Sequence, residues 1–318
     1  MLKYAAKRIL MMIPTLLGVA ILIFILVRVV PGDIVEIKYG SATGSLVPQD
    51  IMDAERARLG LDKPYALQLV DWLWGVVRLD LGTSLWTEKP VIHEIASRMP
   101  ITLETAVLST LMAILVAVPL GTLAAVYNGT VIDQVVRVLT IGGIAIPSFW
   151  LGLLILMTLL AVFHWAPPLA FVPFHKDPVQ NLSLLFWPAV SVGYRLASLI
   201  ARMIRSSLLE VMNEDYIRTA RAKGVREALV VRRHALRNAL LPAITVIGIE
   251  FALLIGGLVV TEQVFNLNGV GRLFIDAVQR SDFMMIQGLV MVTAVFFMLI
   301  NLIVDLLYAA LDPRIELE

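Results

Sequence analysis

Residues 9–30 read ILMMIPTLLGVAILIFILVRVV. A helix that crosses a bilayer needs about 20 mostly apolar residues, and this stretch supplies them. It is too long for the core of a signal peptide and lacks a small-residue cleavage site, so it is expected to remain as a retained helix. Five further stretches meet the same test: Ile101–Val126, Val135–Phe163, Leu184–Met203, Leu240–Glu262 and Phe283–Leu311. The third and sixth exceed the length a bilayer needs and are expected to run beyond it or tilt. The fourth is interrupted by Pro188, Gly193 and Arg195 and is expected to be a kinked span packed inside the bundle.

Composition leads to the same class. The 318 residues are 59% hydrophobic and 16% charged, against about 45–50% and 25% for soluble domains. Cysteine is absent, which excludes disulfides, thiolate metal sites and a cysteine nucleophile. The expectation is an all-α membrane protein of six transmembrane helices with a small extracytoplasmic cap.

Basic residues in short loops set orientation. Lys3, Lys7, Arg8, Arg137, nine residues between 202 and 238, and Arg314 share one side; Lys176, Arg272 and Arg280 lie on the other. The first side is therefore expected to be cytoplasmic, with both termini on it. Residues 31–100 then form an external segment with seven basic and ten acidic residues. Gly60, Pro64, Gly82 and Pro90 divide it into short elements. Val70, Trp72, Leu73, Trp74, Val76 and Val77 form an apolar cluster that suits either the membrane surface or the top of the bundle. The chain divides accordingly into 1–30, 31–100, 101–311 with a cytoplasmic loop at 206–238, and a tail at 312–318.

The cytoplasmic loop holds Asn213-Glu214-Asp215-Tyr216-Ile217-Arg218-Thr219-Ala220-Arg221-Ala222-Lys223-Gly224. Asn213 is a suitable N-cap, the acids begin the first turn, Arg221 and Lys223 suit the last, and Gly224 can end it. A helix of about ten residues is expected. Alone in water it would be marginal, so packing must hold it. Tyr216, Ile217, Ala220 and Ala222 offer a small-residue surface to another protein, and the arginines equally suit a helix lying on anionic headgroups.

Arg218-Thr219-Ala220-Arg221-Ala222-Lys223-Gly224 resembles the E-A-A-x-x-x-G loop of ABC importer permeases, and Leu241-Pro242 resembles its closing L-P. Arg218 in place of Glu, and the fourteen residues between Gly224 and Ala239, match the dipeptide, oligopeptide and nickel permease branch. His234-Ala235-Leu236-Arg237-Asn238-Ala239 is similar to that branch's continuation. So are Pro31-Gly32-Asp33, Leu59-Gly60-Leu61-Asp62-Lys63-Pro64, Asp80-Leu81-Gly82-Thr83-Ser84, Pro147-Ser148-Phe149-Trp150, Asn268-Gly269-Val270-Gly271-Arg272 and Leu311-Asp312-Pro313-Arg314.

The resemblance implies the type I importer permease fold and the role of a non-catalytic permease subunit in a bacterial or archaeal inner membrane. It makes Asp215, Tyr216, Arg218, Thr219, Ala220, Arg221, Ala222, Lys223 and Gly224 a coupling helix for a separate ATPase. It further implies a similar second permease, two cytoplasmic ATPase subunits carrying ATP and Mg, and an extracytoplasmic substrate-binding protein. Lipid is the surrounding solvent, and nucleic acid is not among the partners. Di- or oligopeptides are the implied cargo, with nickel chelates, glutathione, opines or oligosaccharides as alternatives.

Charged residues inside spans carry a functional hypothesis by default. Arg195 and Glu250 both fall about 15 Å from the cytoplasmic surface at 1.5 Å per residue. They could pair, or line the pathway. Asp305, four residues after Asn301, is expected to pack or snorkel, and Glu104 to favour a helix N-terminus at the start of span two. No Walker-type phosphate loop occurs, and the sequence contains no Gly-Lys pair. His93, His164, His175 and His234 are scattered over both sides, which argues against a metal site. An ion-coupled secondary transporter would call for paired broken helices, and a membrane enzyme for a concentrated acid–base or metal constellation; neither pattern is visible.

Overall fold

The computed structural model describes residues 2–29, 35, 36, 38, 48–168 and 170–311. Pro31-Gly32-Asp33, Asp312-Pro313-Arg314 and the 312–318 tail lie outside the described residues. The helices, in chain order, are α1 Leu2–Val29, α2 Gln49–Arg58, α3 Tyr65–Val77, α4 Val91–Val126, α5 Val131–Ala145, α6 Ser148–Phe163, α7 Pro178–Val211, α8 Asp215–Ala222, α9 Glu227–Gly257, α10 Val259–Val264, α11 Val270–Gln279 and α12 Phe283–Leu311. Within α9, Val230–Ala235 is wound as π-helix. Five helices are long and apolar enough to cross a membrane, or six when the bent pair α5–α6 counts as one span.

Two compact units form. One comprises Ile101–Leu267 with residues from Leu299 onward; the other comprises residues from Leu2 to Pro100 with Asn268–Met298.

The first unit is organised on α7. Two-thirds of its apolar window is buried (67%), against 11% for α12. Leu185, Val192, Leu196, Ile200, Ile204 and Leu208 recur at helical spacing and are all buried. Small residues bring neighbouring backbones close, as in lipid they must, because lipid tails are as apolar as Leu. Ala106, Ala113 and Ala117 of α4 and Ala243 of α9 meet Ala197 and Ala201 of α7 in one cluster. Gly143 of α5 shows how tight the fit is: a Cβ there would sit 2.0 Å from Ser198 Oγ. Asp177 starts α7 by accepting from Val179 N and Gln180 N at 3.1 and 3.0 Å, with Pro178 in the first turn.

The expectation for the third stretch is corrected, while the fourth packs inside the bundle as expected. The third stretch is the broken one: α5 and α6 meet at 99°. Ile146, directly before Pro147, takes extended dihedrals of −85° and 121°, the conformation that a following proline imposes. The fourth stretch is continuous through Pro188 and Gly193 and runs from Pro178 to Val211. Pro188 is buried inside the bundle, where surrounding helices tolerate a freed backbone group.

Glu104 is corrected as well. The second span begins at Val91, after Pro90, so Glu104 lies within α4. Its carboxylate accepts from Asn181 Nδ2 and from Phe174 N at 3.4 Å, fastening the segment that leads into α7.

In the second unit α3 rests on α1. Trp72 Nε1 donates to Ala20 O at 3.2 Å, and Arg28 Nη2 donates to Gln68 Oε1 at 2.6 Å. The apolar cluster expected here divides between its two readings. Trp72 is buried against α1, while Leu67, Val70, Trp74 and Val77 form an exposed stripe. Residues 83–90 close a short hairpin through a bridge between Thr83 and Pro90. Ser84 Oγ donates to Asp282 Oδ2 at 2.5 Å, and Trp86 Nε1 donates to Arg280 O at 2.8 Å.

Candidate functional site

Helix α8 is short, and three features fix it. Ile217 is fully buried (0% exposed) among Leu208 of α7, Ala125 of α4, and Val230, Val231, Ala235 and Ala239 of α9. Tyr216 OH accepts from Asn238 Nδ2 at 2.8 Å, tying α8 to α9. Arg221 donates to Glu227 through Nη2 and Nε at 2.7 and 3.1 Å, and through Nη1 to Met212 O at 3.4 Å.

The C-terminus is closed by a left-handed residue. Gly224 has φ +75°, a region that residues with a Cβ enter only at a cost. Gly224 N donates to Arg221 O at 2.9 Å and Val225 N to Ala220 O at 3.3 Å. This pair of bonds is the Schellman arrangement, which satisfies carbonyls that the helix end would leave open.

The N-terminus differs from expectation. Glu214, in extended conformation, occupies the cap position and makes no side-chain cap bond. Asn213 Nδ2 instead donates back to Leu209 O at 2.9 Å, so it closes α7. The helix consequently has 8 residues, two fewer than the pattern suggests, because Glu214 is its N-cap and Lys223 its C-cap.

The outward face is also corrected. Ile217 is consumed by packing and Ala220 is half-buried against the same cluster. Asp215, Tyr216, Arg218, Thr219, Arg221, Ala222, Lys223 and Gly224 remain exposed. The exposed pair Arg218–Asp215, at 3.2 Å, adds little stability. The face is polar and basic, with Ala222 as its small, bare position.

Arg195 of α7 and Glu250 of α9 are in direct contact, Nη2 to Oε2 at 2.5 Å. The two alternatives open at the sequence level are not exclusive. The Glu250 side chain is 13% exposed and the Arg195 side chain 42%. The pair joins two spans and leaves the Arg195 side chain partly exposed.

Other carboxylates escaped the sequence reading. Asp133, 1% exposed, accepts from Arg205 Nε at 2.7 Å and Nη2 at 2.9 Å, and from Gly129 N at 3.0 Å. Arg205 also donates to Asn128 Oδ1 at 2.9 Å. The turn before α5 is thereby clamped to α7 just before α8. Glu262, fully buried, accepts from Thr102 Oγ1 at 2.6 Å. The available signal for Asp133 is an acid three residues after an Asn-Gly-Thr turn, in the first turn of a helix; nothing in the sequence names Arg205 as its partner.

With this geometry in place, comparison with known proteins is informative. Residues 117–317 match the family described as binding-protein-dependent transport system inner membrane component, and residues 1–106 match the N-terminal model of the same system. A glutathione transport system permease protein, GsiC of Salmonella choleraesuis, is 40% identical over 316 residues, covering 99% of each chain. A Brucella suis biovar 1 protein, provisionally named a peptide transport system permease, is 40% identical over 312 residues and 98% of each chain. Among solved structures, the inward-facing MetNI methionine ABC transporter aligns with a TM-score of 0.54 at 18% identity, over 70% of this chain and 97% of that one. At that identity the likeness shows the fold alone.

Proposed function

The chain belongs to the binding-protein-dependent transport system inner membrane component family, and from that premise we propose how it works within an ABC importer. It forms half of the translocation pathway for di- or oligopeptides, including small peptides of the glutathione kind, and is driven by a separate ATPase that docks on α8. The names of the relatives support the cargo class. The distribution of basic residues supports a multi-pass inner-membrane arrangement with both termini cytoplasmic.

One observation carries the coupling reading. Helix α8 is closed at its C-terminus by Gly224 and rooted at Ile217, yet turns a polar face outward. A push on such a helix is delivered through Ile217 to Leu208 of α7 and to Val230, Val231, Ala235 and Ala239 of α9. Farther along, the same two helices are joined by Arg195 and Glu250. A displacement of α8 therefore reaches a partly exposed charged group. Packed cores respond to displacement by switching between arrangements rather than by yielding gradually. ATP and Mg belong to two partner ATPase subunits, since this chain has no Gly-Lys phosphate loop. A second permease supplies the other half of the pathway, and a binding protein delivers cargo on the opposite side.

Ala222→Trp tests this reading. It adds an indole to the exposed face without touching the buried root. The complex should lose its ATPase on purification while the permease keeps its thermal midpoint. Full ATPase retention with normal transport would overturn the docking assignment.

A further inference from the structure

The second unit holds a half-open cavity of about 330 Å³ whose wall includes Phe24, Arg28, Gln68, Trp72, Asp80 and Gln287. Its charges are unevenly matched. Arg58 on the wall is held by Glu55, at 2.7 Å from both Nε and Nη2, and Lys63 by Asp71 at 2.7 Å. Asp80 accepts from Gly82 N at 3.0 Å.

Arg28 differs. Its one hydrogen-bond acceptor is the neutral amide of Gln68, and it lies 5.2 Å from the Phe24 ring centroid. Its Nε is buried without an acceptor. Gln287, 3% exposed, likewise has a buried Nε2 without an acceptor. Buried donors are nearly always satisfied, and a cation removed from water needs both a counter-charge and hydrogen bonds. Arg28 and Gln287 both line the cavity, and among the described residues Arg28 has the neutral Gln68 amide as its acceptor and no carboxylate partner; the charge left unmatched calls for an acceptor bearing negative charge.

We propose that this cavity is a binding site for a singly charged oxyanion, a carboxylate or a phosphodiester, held by Arg28 and Gln287. Asp71 and Asp80 on the same wall disfavour a dianion. Phe24, Leu59, Trp72, Leu81 and Met284 provide apolar surface for whatever carries the charge. Arg28 lies in the last turn of α1, and Gln287 in the first turns of α12. Both are apolar spans, and that placement suits a lipid phosphodiester as well as a solute carboxylate. The site is independent of the docking role of α8.

The full-length chain, purified in neutral detergent, is titrated in native mass spectrometry with phosphatidylglycerol and separately with glycylglycine. Wild type is expected to acquire one adduct that Arg28→Gln weakens about tenfold or more, the loss of one charge-assisted contact. Gln287→Leu should weaken it less. Because Gln287→Leu leaves every charge in place, it keeps the test usable if Arg28→Gln folds poorly. An adduct confined to phosphatidylglycerol assigns the site to a lipid headgroup, and one confined to glycylglycine assigns it to a solute carboxylate. Equal binding of both probes by wild type and both variants, or no binding by wild type, overturns the proposal.

Discussion

Helices α3 and α8 are both too short to cross a membrane, and both are seated by one large apolar side chain. Trp72 seats α3 on α1, with its indole N–H on Ala20 O; Ile217 seats α8 among α4, α7 and α9. Their outward faces differ completely. On α3, Leu67, Val70, Trp74 and Val77 are exposed; on α8, Tyr216, Arg218, Thr219, Arg221 and Lys223 are. An inward anchor tells where a short helix rests, whereas its outward face tells what it meets. An apolar stripe suits an apolar surrounding, and a basic, hydrogen-bonding face suits water, a protein surface or anionic headgroups. The closed C-terminus at Gly224 and the tie to Asn238 make α8 the one built to hold its shape under load.

Substitutions at the anchors should produce the largest effects. Ile217→Asp places a carboxylate in a fully buried position and should destabilise the first unit by roughly 4 kcal/mol or more. The measurement is the thermal midpoint, with loss of both transport and ATPase association. Trp72→Ala should cost about 3 kcal/mol, since it removes a buried indole and its bond to Ala20. It should leave ATPase association intact, and a co-purification assay separates it from Ile217→Asp. Asp133→Asn comes close behind, at about 3 kcal/mol, because Arg205 would lose its counter-charge in a partly buried setting. Double substitution of Asp133 and Arg205 by Asn and Leu should recover most of that loss. Arg218→Ala should be smallest, about 0.5 kcal/mol or less, because its partner Asp215 is exposed. A large stability loss there would mean that α8 depends on its outward face, and the contrast with α3 would collapse.

Much of this architecture was legible in the residues, and the exceptions have physical causes. Spans are long and apolar, so composition finds them. A proline counts the same in a hydropathy window wherever it falls, but its effect depends on its neighbours. Pro188 is absorbed within packed helices, whereas Pro147 follows a residue released from helical dihedrals and turns the chain by 99°. The start of α8 was misassigned because Asn213 can bond forward as an N-cap or back to Leu209, and local sequence does not choose. Gly224 was readable because a left-handed residue at a helix end strongly favours glycine. The burial of Ile217 and the pairing of Asp133 with Arg205 depend on contacts 72 positions apart in one case and on three helices in the other. Pattern along the chain does not contain them.

The absence of cysteine from all 318 residues makes a direct measurement possible. Ala222→Cys introduces a single thiol on the exposed face of α8, and Leu67→Cys, in a separate chain, one on the exposed stripe of α3. The thiol is labelled with a maleimide–benzophenone reagent, the complex is assembled and irradiated so that the benzophenone inserts into neighbouring C–H bonds, and the adducts are identified by mass. The account predicts an ATPase adduct from position 222, changing in yield when ATP is supplied, and none from position 67. No ATPase adduct at 222 in a transport-competent complex would contradict it.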